Sequence, residues 1–415
     1  MSNSNPVILS FDTVSFAYND GKKIILDEAD FTLRENTKIT IMGQNGAGKS
    51  TIFKLIMDEL QPQKGKINIG QNKTIAIAKQ VIPRDMTHLT LREYFATAFA
   101  EKDYQLDKKI GEVMESVNLS VPLEKKLNDL SGGQQARVLL AYALIQKPDI
   151  LLMDEPTNNL DTDGINHLIG FLLSYDKTVV VISHDADFLN MFTDGVLYLN
   201  VISHKVEQYR GDYYDVVEQI AAQIEREKSL NARMENKIQD AKEKISYFEN
   251  KGGKMRKIAS KLRDEVEEAE DNKTTVRKDD KTIGRFTIEF ENYVGPIVTI
   301  NQVELMTKNH ERVLKKLPLT IKKGERYQLV GPNGIGKSTL LKRMLNGETG
   351  DATIAPEIRV GYYSQDFNAL DMDMTVRDAL HEMSNSITDQ DVFRTAAQFL
   401  LTSDLLKSTI ASLSE

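Results

Sequence analysis

The 415-residue sequence contains no cysteine. Disulfide bonds, thiolate metal sites and cysteine nucleophiles are therefore excluded, and this composition fits a cytoplasmic protein. Long hydrophobic runs are also missing, because stretches such as Leu139–Ile145 and Val179–Ile182 are far too short to span a bilayer. The first twelve residues, MSNSNPVILSFD, contain neither a basic segment nor a long apolar segment, so they do not resemble a signal peptide.

An excess of positive charge is absent too. The formal net charge is −8, which argues against a wholly basic nucleic-acid-binding protein but leaves local basic patches open. The chain is long enough for two or three domains.

Two segments match the phosphate-loop pattern G-x-x-x-x-G-K-[ST]. They read GQNGAGKST and GPNGIGKST, and each follows an apolar run that predicts a strand, at Ile39–Met42 and Tyr327–Val330. Such a loop cradles phosphates with free backbone N–H groups, and its lysine and hydroxyl serve the terminal phosphates and Mg²⁺. The helix that follows adds its N-terminal partial charge. The pattern therefore predicts ATP binding with Mg²⁺ at two places. The candidate residues are Gly43, Asn45, Gly46, Gly48, Lys49, Ser50 and Thr51, and Gly331, Asn333, Gly334, Gly336, Lys337, Ser338 and Thr339; Ser50 and Ser338 are the candidate Mg²⁺ ligands among them.

The two loops belong to a longer internal repeat. Lys49 and Lys337 are 288 residues apart, and Gln80 and Gln365, each after a strand-like run, are 285 apart. The slowly shrinking offset indicates two diverged copies. We assign residues 6–209 to the first copy, 210–285 to a linker and 286–415 to the amino-terminal part of the second. Alternating strand and helix patterns predict a mostly parallel α/β core in each copy.

The linker has a helical pattern. Apolar residues fall at steps of three and four from Leu230 to Phe248, stop at the sequence NKGG (250–253), and resume from Met255 to Ala269. This spacing predicts an antiparallel helical hairpin whose first helix runs from about Val216 to Glu249. The predicted turn is basic, with no acid between residues 250 and 263. Its cations are Lys251, Lys254, Arg256, Lys257, Lys261 and Arg263. They predict attraction to a phosphate backbone, although a solvated helix end is the simpler alternative.

Catalytic candidates follow two apolar strands of the first copy. Asp154 and Glu155 end the run ILLMDE, where the first carboxylate can hold Mg²⁺ and the second can deprotonate an attacking water. His184 ends VVVISH and can reach the γ-phosphate. Gln80 and Gln365 are candidate ligands of Mg²⁺ and water. Solvated acids and a structural histidine are the simpler alternatives.

Two further features complete the predicted nucleotide sites. Ser131, Gly132, Gly133 and Gln134 belong to the sequence LSGGQ, and Ser131 stands at the N-cap position of an amphipathic helix. This helix start is a second candidate anion-binding position. Tyr18 is a candidate for stacking on adenine. The residues from Leu91 to Leu127 predict a helix-rich segment.

Together these motifs resemble the ATP-binding-cassette (ABC) superfamily. DEPTNNLD (154–161) and SHDADFLN (183–190) are similar to the DEPTNHLD and SHDRxFLD strings of its ABC-F family, with Asn159 and Ala186 as departures. The resemblance implies two cassettes in one chain without a membrane domain, and ATP held between the phosphate loop of one cassette and the LSGGQ signature of the other. It also implies action on the ribosome, with the linker reaching rRNA and the P-site tRNA, in translation or antibiotic resistance. Some ABC-F proteins insert a helical arm before the signature, but the 51 residues from Gln80 to Ser131 suit the ordinary helical subdomain, so the resemblance implies a few helices over Leu91–Leu127 that fold back on the cassette and form no protruding arm.

The second copy stops early in this sequence. Glu415 stands where the first signature glycine is expected, and counterparts of Asp154, Glu155 and His184 are absent. We expect a piece of a longer protein, in preference to a half-cassette that needs a partner. Two rival functions stay open, an ATPase subunit of a membrane importer and a non-hydrolysing module gated by ATP.

Overall fold

The computed structural model describes residues 5–19, 21–44, 46–99, 101, 103–249, 260–263, 266, 283, 293, 295–306, 312–332, 335–347, 352–356, 358–363, 370–382 and 388–413. The chain divides into two compact units, Met1–Asp279 and Asp280–Glu415. The predicted boundaries at 209/210 and 285/286 remain predictions.

The first unit begins with an antiparallel sheet. Its strands are β1 (Val7–Tyr18), β2 (Lys23–Arg34) and β4 (Lys64–Ile69), in the order β2-β1-β4. Alternate residues of β1 and β2 face the core, where Phe11 stacks on Phe31 with ring centroids 4.3 Å apart. This alternation is typical of a sheet with one buried face.

A six-stranded sheet forms the centre of the unit. Its order is β5-β6-β7-β3-β8-β9, and all neighbouring pairs are parallel except β8 and β9. The strands β6 and β7 are buried along almost their whole length, as expected for parallel strands covered on both faces. The strands are β3 (Lys38–Gly43), β5 (Ile75–Ala78), β6 (Ile150–Asp154), β7 (Thr178–Ile182), β8 (Gly195–Leu199) and β9 (Val206–Arg210).

Helices cover this sheet. The residues between β5 and β6 contain α2 and α3, whose Phe95 and Ile110 join the core formed with α4. The predicted helical segment over Leu91–Leu127 therefore does fold back on the domain. The helices are α1 (Lys49–Ile56), α2 (Leu91–Ala96), α3 (Leu106–Ser116), α4 (Gly132–Leu144), α5 (Thr162–Ser174) and α6 (Ala186–Asn190).

A single long helix, α7 (Tyr213–Glu249), follows β9. Its 37 residues give a length of about 55 Å at 1.5 Å per residue. Ile238 and Ile245 pack against Leu262 and Val266, and residues 260–263 are helical, so the predicted helical hairpin is confirmed.

One detail of the hairpin prediction was wrong. Leu230 was assigned to the buried stripe but is 60% exposed, whereas Asn231 is 8% exposed. The buried residues 231, 238 and 245 repeat every seven positions, and residue 230 lies about 100° around the helix from that line.

The second unit repeats the antiparallel sheet. Strands β10 (Pro296–Met306), β11 (Arg312–Lys322) and β12 (Ala352–Ile354) have the order β11-β10-β12. Lys315, Lys316 and Pro318 lie on the edge strand β11, where charge and proline discourage pairing with another chain. Four helices in its described residues are α8 (Lys337–Asn346), α9 (Val376–Glu382), α10 (Asp389–Gln398) and α11 (Ser403–Lys407).

The strand predicted at Tyr327–Val330 is absent, and no strand occurs over 358–363 before Gln365 either. Its counterpart β3 is paired on both sides by β7 and β8. In the described residues of the second unit no strand pairs with 327–330, and Val330 is 77% exposed. An apolar run without a hydrogen-bonded neighbour does not form a strand, because its backbone groups are solvated instead.

Candidate nucleotide site

The first phosphate loop connects β3 to α1 and requires glycine at one position above all. Gly48 has φ of 104°, and a Cβ there would lie 2.3 Å from Cγ2 of Ile25. Gly46 also has a left-handed backbone, with φ of 76°. These residues turn the chain sharply at the carboxyl end of β3, and Asn45 lies outside the described residues. The loop can adopt this geometry because Gly46 and Gly48 have no side chain.

Lys49 closes the loop on itself. Its Nζ donates hydrogen bonds to the carbonyl oxygens of Gly43 and Gln44, at 2.8 and 3.3 Å. Tyr18 joins the same region, because its hydroxyl lies 3.2 Å from Oγ1 of Thr51. The structure thus places the predicted adenine-stacking ring beside the start of α1, a contact that sequence spacing did not reveal.

Asp154 lies at the carboxyl end of β6 and faces the loop. Ser50 donates a hydrogen bond to this carboxylate. Burial raises the pKa of Asp154 above its ordinary value, while the Ser50 hydrogen bond and the charge of Lys49 oppose that rise. One hydroxyl and one carboxylate are a donor set that fits Mg²⁺, which takes few protein ligands and completes its shell with waters and phosphate oxygens.

Glu155 is fixed beside Asp154 by an unusual backbone. Its φ is 48°, a left-handed value that is costly for a residue with a Cβ, and its N–H donates to the carbonyl of Ile182 at 2.8 Å. His184 donates its backbone N–H to Glu155 Oε2 at 3.2 Å, and its Nε2 lies 3.4 Å from Oε1. Burial raises the pKa of Glu155, and His184 opposes that rise. The two predicted catalytic residues are therefore neighbours.

A second row of contacts supports this pair. The hydroxyls of Thr157 and Ser183 are 3.3 Å apart, which joins the loop after Glu155 to the loop before His184. Asp185 then caps α6 by accepting the N–H of Phe188 at 3.0 Å. Sequence reasoning did not assign these residues. Their signal was present, because an Asp three residues before the N3 position of a short helix is a common cap.

The LSGGQ segment forms the start of α4. Ser131 caps the helix by accepting the N–H of Gln134 at 3.3 Å, and the Gln134 side chain accepts the N–H of Ser131 at 3.1 Å. A Cβ on Gly132 would lie 3.4 Å from Cβ of Asn159. Asn159 has φ of 65°, a region that asparagine adopts more readily than most residues, so this departure suits the loop. The predicted N-cap is confirmed.

Gln80 follows β5 and lies near Glu155. Both line one small groove, together with Arg137 and Leu140 of α4 and Phe171 of α5. The structure therefore brings together, at the carboxyl edge of the six-stranded sheet and on the elements that follow its strands, Gly43, Gly46, Gly48, Lys49, Ser50, Thr51, Gln80, Asp154, Glu155 and His184. Tyr18 reaches them from β1 of the antiparallel sheet through its contact with Thr51.

The second loop has the same local form. Gly336 has φ of 110° and caps α8, and Lys337 Nζ donates to the carbonyls of Gly331 and Pro332 at 2.6 and 3.0 Å. Ser338 and Thr339 lie in the first turn of α8. Three predicted residues of this site, Asn333, Gly334 and Gln365, lie outside the described residues, as does Glu415. The same applies to Lys251, Lys254, Arg256 and Lys257, whereas Lys261 and Arg263 are described and exposed.

Comparison with known proteins agrees with the nucleotide-binding motifs described above. The profile of the family described as "ABC transporter" matches residues 26–158 and 314–415, which together exceed half of the chain. The chain is 27% identical to the Haemophilus influenzae "Probable ATP-binding protein YheS" over 95% of this chain and 67% of that protein. It is 32% identical to an Encephalitozoon cuniculi protein named "Probable ATP-binding cassette sub-family F member 3 homolog", over 92% of this chain and 64% of that protein.

The chain thus spans about two thirds of the length of these relatives. Among solved structures, a dimeric post-hydrolysis cassette bound to ADP and phosphate is 26% identical with a TM-score of 0.43, covering 49% of this chain and 98% of that one. Within the part of the chain that the structure describes, no helix combines the length and the hydrophobicity needed to cross a membrane.

Proposed function

Because the chain belongs to the ABC family of ATPases and to its ABC-F type, we propose that it hydrolyses ATP to control insertion of its helical linker into the ribosome near tRNA. The observation that supports the chemistry is the contact of Glu155 with His184 beside Ser50 and Asp154. A base, an orienting group and an Mg²⁺-binding pair then surround one phosphate loop.

Each residue has a chemical role in this proposal. Lys49 exchanges its contacts with the loop carbonyls for oxygens of the β- and γ-phosphates. Ser50 and Asp154 would hold Mg²⁺, which would supply positive charge to the same phosphates. Glu155 accepts a proton from the attacking water as the bond from water oxygen to the γ-phosphorus forms and the bond to the β-phosphate oxygen breaks.

Two features of this base favour the reaction. Burial raises the pKa of Glu155 above its ordinary value, which strengthens the carboxylate as a proton acceptor. Its left-handed backbone and the N–H of His184 fix the carboxylate, so little reorganisation is needed. Gln80, which lines the same groove, is a candidate to orient the water.

The linker supplies the proposed contact with RNA. Helix α7 is continuous over 37 residues, so its far end at Glu249, where the basic segment of the sequence follows, lies about 55 Å from its base. Lys261 and Arg263 of that segment are helical and exposed. A cationic end on a protein of net charge −8 concentrates the attraction for phosphates at the end of the linker.

Cosedimentation with ribosomes tests this proposal. We expect the Glu155→Gln variant to sediment with ribosomes in ATP, because it binds ATP and hydrolyses it slowly. Replacing Lys254, Arg256, Lys257 and Lys261 with Ala should reduce the log–log salt slope by roughly one unit for each phosphate that is no longer neutralised. A matched variant with Lys22, Lys64, Lys66 and Lys108 replaced, which are exposed lysines of the first unit, controls for net charge.

The outcomes separate the alternatives. Equal slopes for both quadruple variants would remove the linker turn from the proposal. Sedimentation with membranes and not with ribosomes would favour an importer subunit. Ribosome binding without ATP hydrolysis in the unmodified chain would favour a non-hydrolysing, ATP-gated module.

A further inference from the structure

The base of the long helix α7 is attached to the helix that follows His184. Tyr214, in the first turn of α7, donates its hydroxyl to Asp187 of α6, and its backbone N–H donates to Oδ1 of Asn190 at 3.0 Å. Tyr213 packs against the main apolar core, to which Phe188 and Leu189 of α6 also belong. These contacts join two elements that the sequence separates by a hairpin of β8 and β9.

Helix α6 is in turn tied to the catalytic glutamate. It begins at Ala186, two residues after His184, and its cap Asp185 donates its backbone N–H to Ser183 Oγ at 3.1 Å. His184 contacts Glu155 through both its backbone and its ring. The path from the site of chemistry to the base of α7 therefore passes through one short, well-anchored helix.

A different kind of contact holds the other side of the helix base. Val216 and Ile220 pack on Val196 and Tyr198 of β8 in a small apolar cluster. Such packing fixes the position of α7, but it does not couple the orientation of the helix to His184. The hydrogen bonds from Tyr214 provide that coupling, because both acceptors, Asp187 and Asn190, belong to α6.

We propose that Tyr214 and Asp187 form a latch through which movement of the His184 loop tilts α7. This inference rests on the ATP-gated part of the proposed function. Because α7 is about 55 Å long, a tilt of about 10° at its base displaces its far end by about 10 Å. A small change at the γ-phosphate then becomes a large displacement of the far end of α7.

The absence of cysteine makes a direct test possible, because two introduced cysteines can be spin-labelled without background. Labels at Lys66→Cys on β4 and Lys244→Cys on α7 occupy exposed positions. Double electron–electron resonance is recorded with and without Mg·ATP in the Glu155→Gln background. We expect a shift of several ångströms on ATP addition, and loss of at least half of that shift in Tyr214→Phe.

Further variants separate coupling from folding. Asp187→Ala should reduce the ATP-dependent shift as much as Tyr214→Phe does, and the double variant should show no further reduction. Asp187→Asn keeps an acceptor oxygen, so it should show the full shift. Tyr175→Phe removes a hydroxyl bonded to the Pro148 carbonyl, away from α6, and should keep the full shift. ATP affinity should stay within about twofold in all of them.

A full shift in Tyr214→Phe would overturn the latch, as would an absent shift in the parent chain. Cosedimentation of the same labelled protein reports on the proposed function separately. If α7 shifts with ATP but the protein does not bind ribosomes, the ribosomal proposal fails and the latch stands.

Discussion

At the residue scale, Lys49 and Glu155 are held in place by contacts within the protein itself. The ammonium group of Lys49 contacts two loop carbonyls, and the carboxylate of Glu155 contacts His184. In the proposed function their roles differ, because the lysine binds phosphate oxygens while the glutamate, whose pKa is raised by burial, accepts a proton. Substitution of each should therefore affect a different step.

Lys49→Ala should weaken ATP binding at the first site by a few kcal/mol, because a charge-assisted contact with the phosphates is removed. Titration of the variant with a fluorescent ATP analogue measures this loss. Lys66→Ala, on the exposed surface of β4, is the matched control. Unchanged affinity at a site mapped to the first unit would rule out the assignment of this loop.

Glu155→Gln should leave ATP binding intact and slow hydrolysis by about 10²–10⁴-fold, because the amide accepts no proton from water. Phosphate release from ATP measures the rate, and Glu124→Gln, an exposed partner of Arg92, serves as control. A normal rate in Glu155→Gln would assign the base elsewhere.

Sequence motifs predicted the residues of the site, but not how they contact one another. Gly48, Lys49, Asp154 and His184 stand in fixed patterns at the ends of strands, and parallel strands bring such ends to one edge. The Tyr18–Thr51 contact and the Tyr214–Asp187 hydrogen bond join distant segments, and no local spacing encodes them.

At the element scale, apolar runs predicted strands correctly only where neighbouring strands pair with them. β6 and β7 were predicted and are present, whereas 327–330 has a similar pattern and no strand. The order β5-β6-β7-β3-β8-β9 was not predictable from periodicity, because pairing is a property of the tertiary fold.

Asp149 links two strands at the end of the sheet opposite the site. It accepts the backbone N–H and the hydroxyl of Thr74, at 3.0 and 3.1 Å, just before β5 and β6 begin. The Thr74 hydrogen bond lowers the pKa of Asp149 below its ordinary value, assisted by Lys177. This ionised group therefore stabilises the folded state above the unfolded-state pKa.

We expect Asp149→Ala to destabilise the protein by about 1–3 kcal/mol at pH 7, because Thr74 loses its acceptor. Since the folded-state pKa is depressed, the stabilisation is lost as the pH falls through it, so the variant and parent should converge in acid. Urea unfolding at several pH values measures both effects. If the difference in unfolding free energy between variant and parent stayed constant into strong acid, the stabilisation would not come from the ionised carboxylate of Asp149.

At the scale of the whole molecule, the first unit has its own core. Both large apolar clusters, and the smaller one that anchors α7, lie entirely within residues 1–249. The second unit has smaller described clusters, such as that around Ile300 and Val303. Stability should therefore reside mainly in the first unit.

A fragment of residues 1–249 should fold cooperatively and bind ATP with affinity within about threefold of that of the chain, since it retains the loop, Asp154 and the core. Circular dichroism on heating and ATP titration measure these properties, with Lys49→Ala in the fragment as the binding control. A gradual, non-cooperative transition would show that the first unit depends on the rest.

The carbonyl contacts of Lys49 have a thermodynamic consequence. The ammonium group and the glycines Gly46 and Gly48 already hold the loop in a wound form, so a triphosphate exchanges partners without ordering an open coil. Its binding should therefore be driven by enthalpy and show a small heat-capacity change, close to that of burying the base on Tyr18 alone. Calorimetric titration at several temperatures would instead give a binding enthalpy that changes steeply with temperature if the loop folded around its ligand.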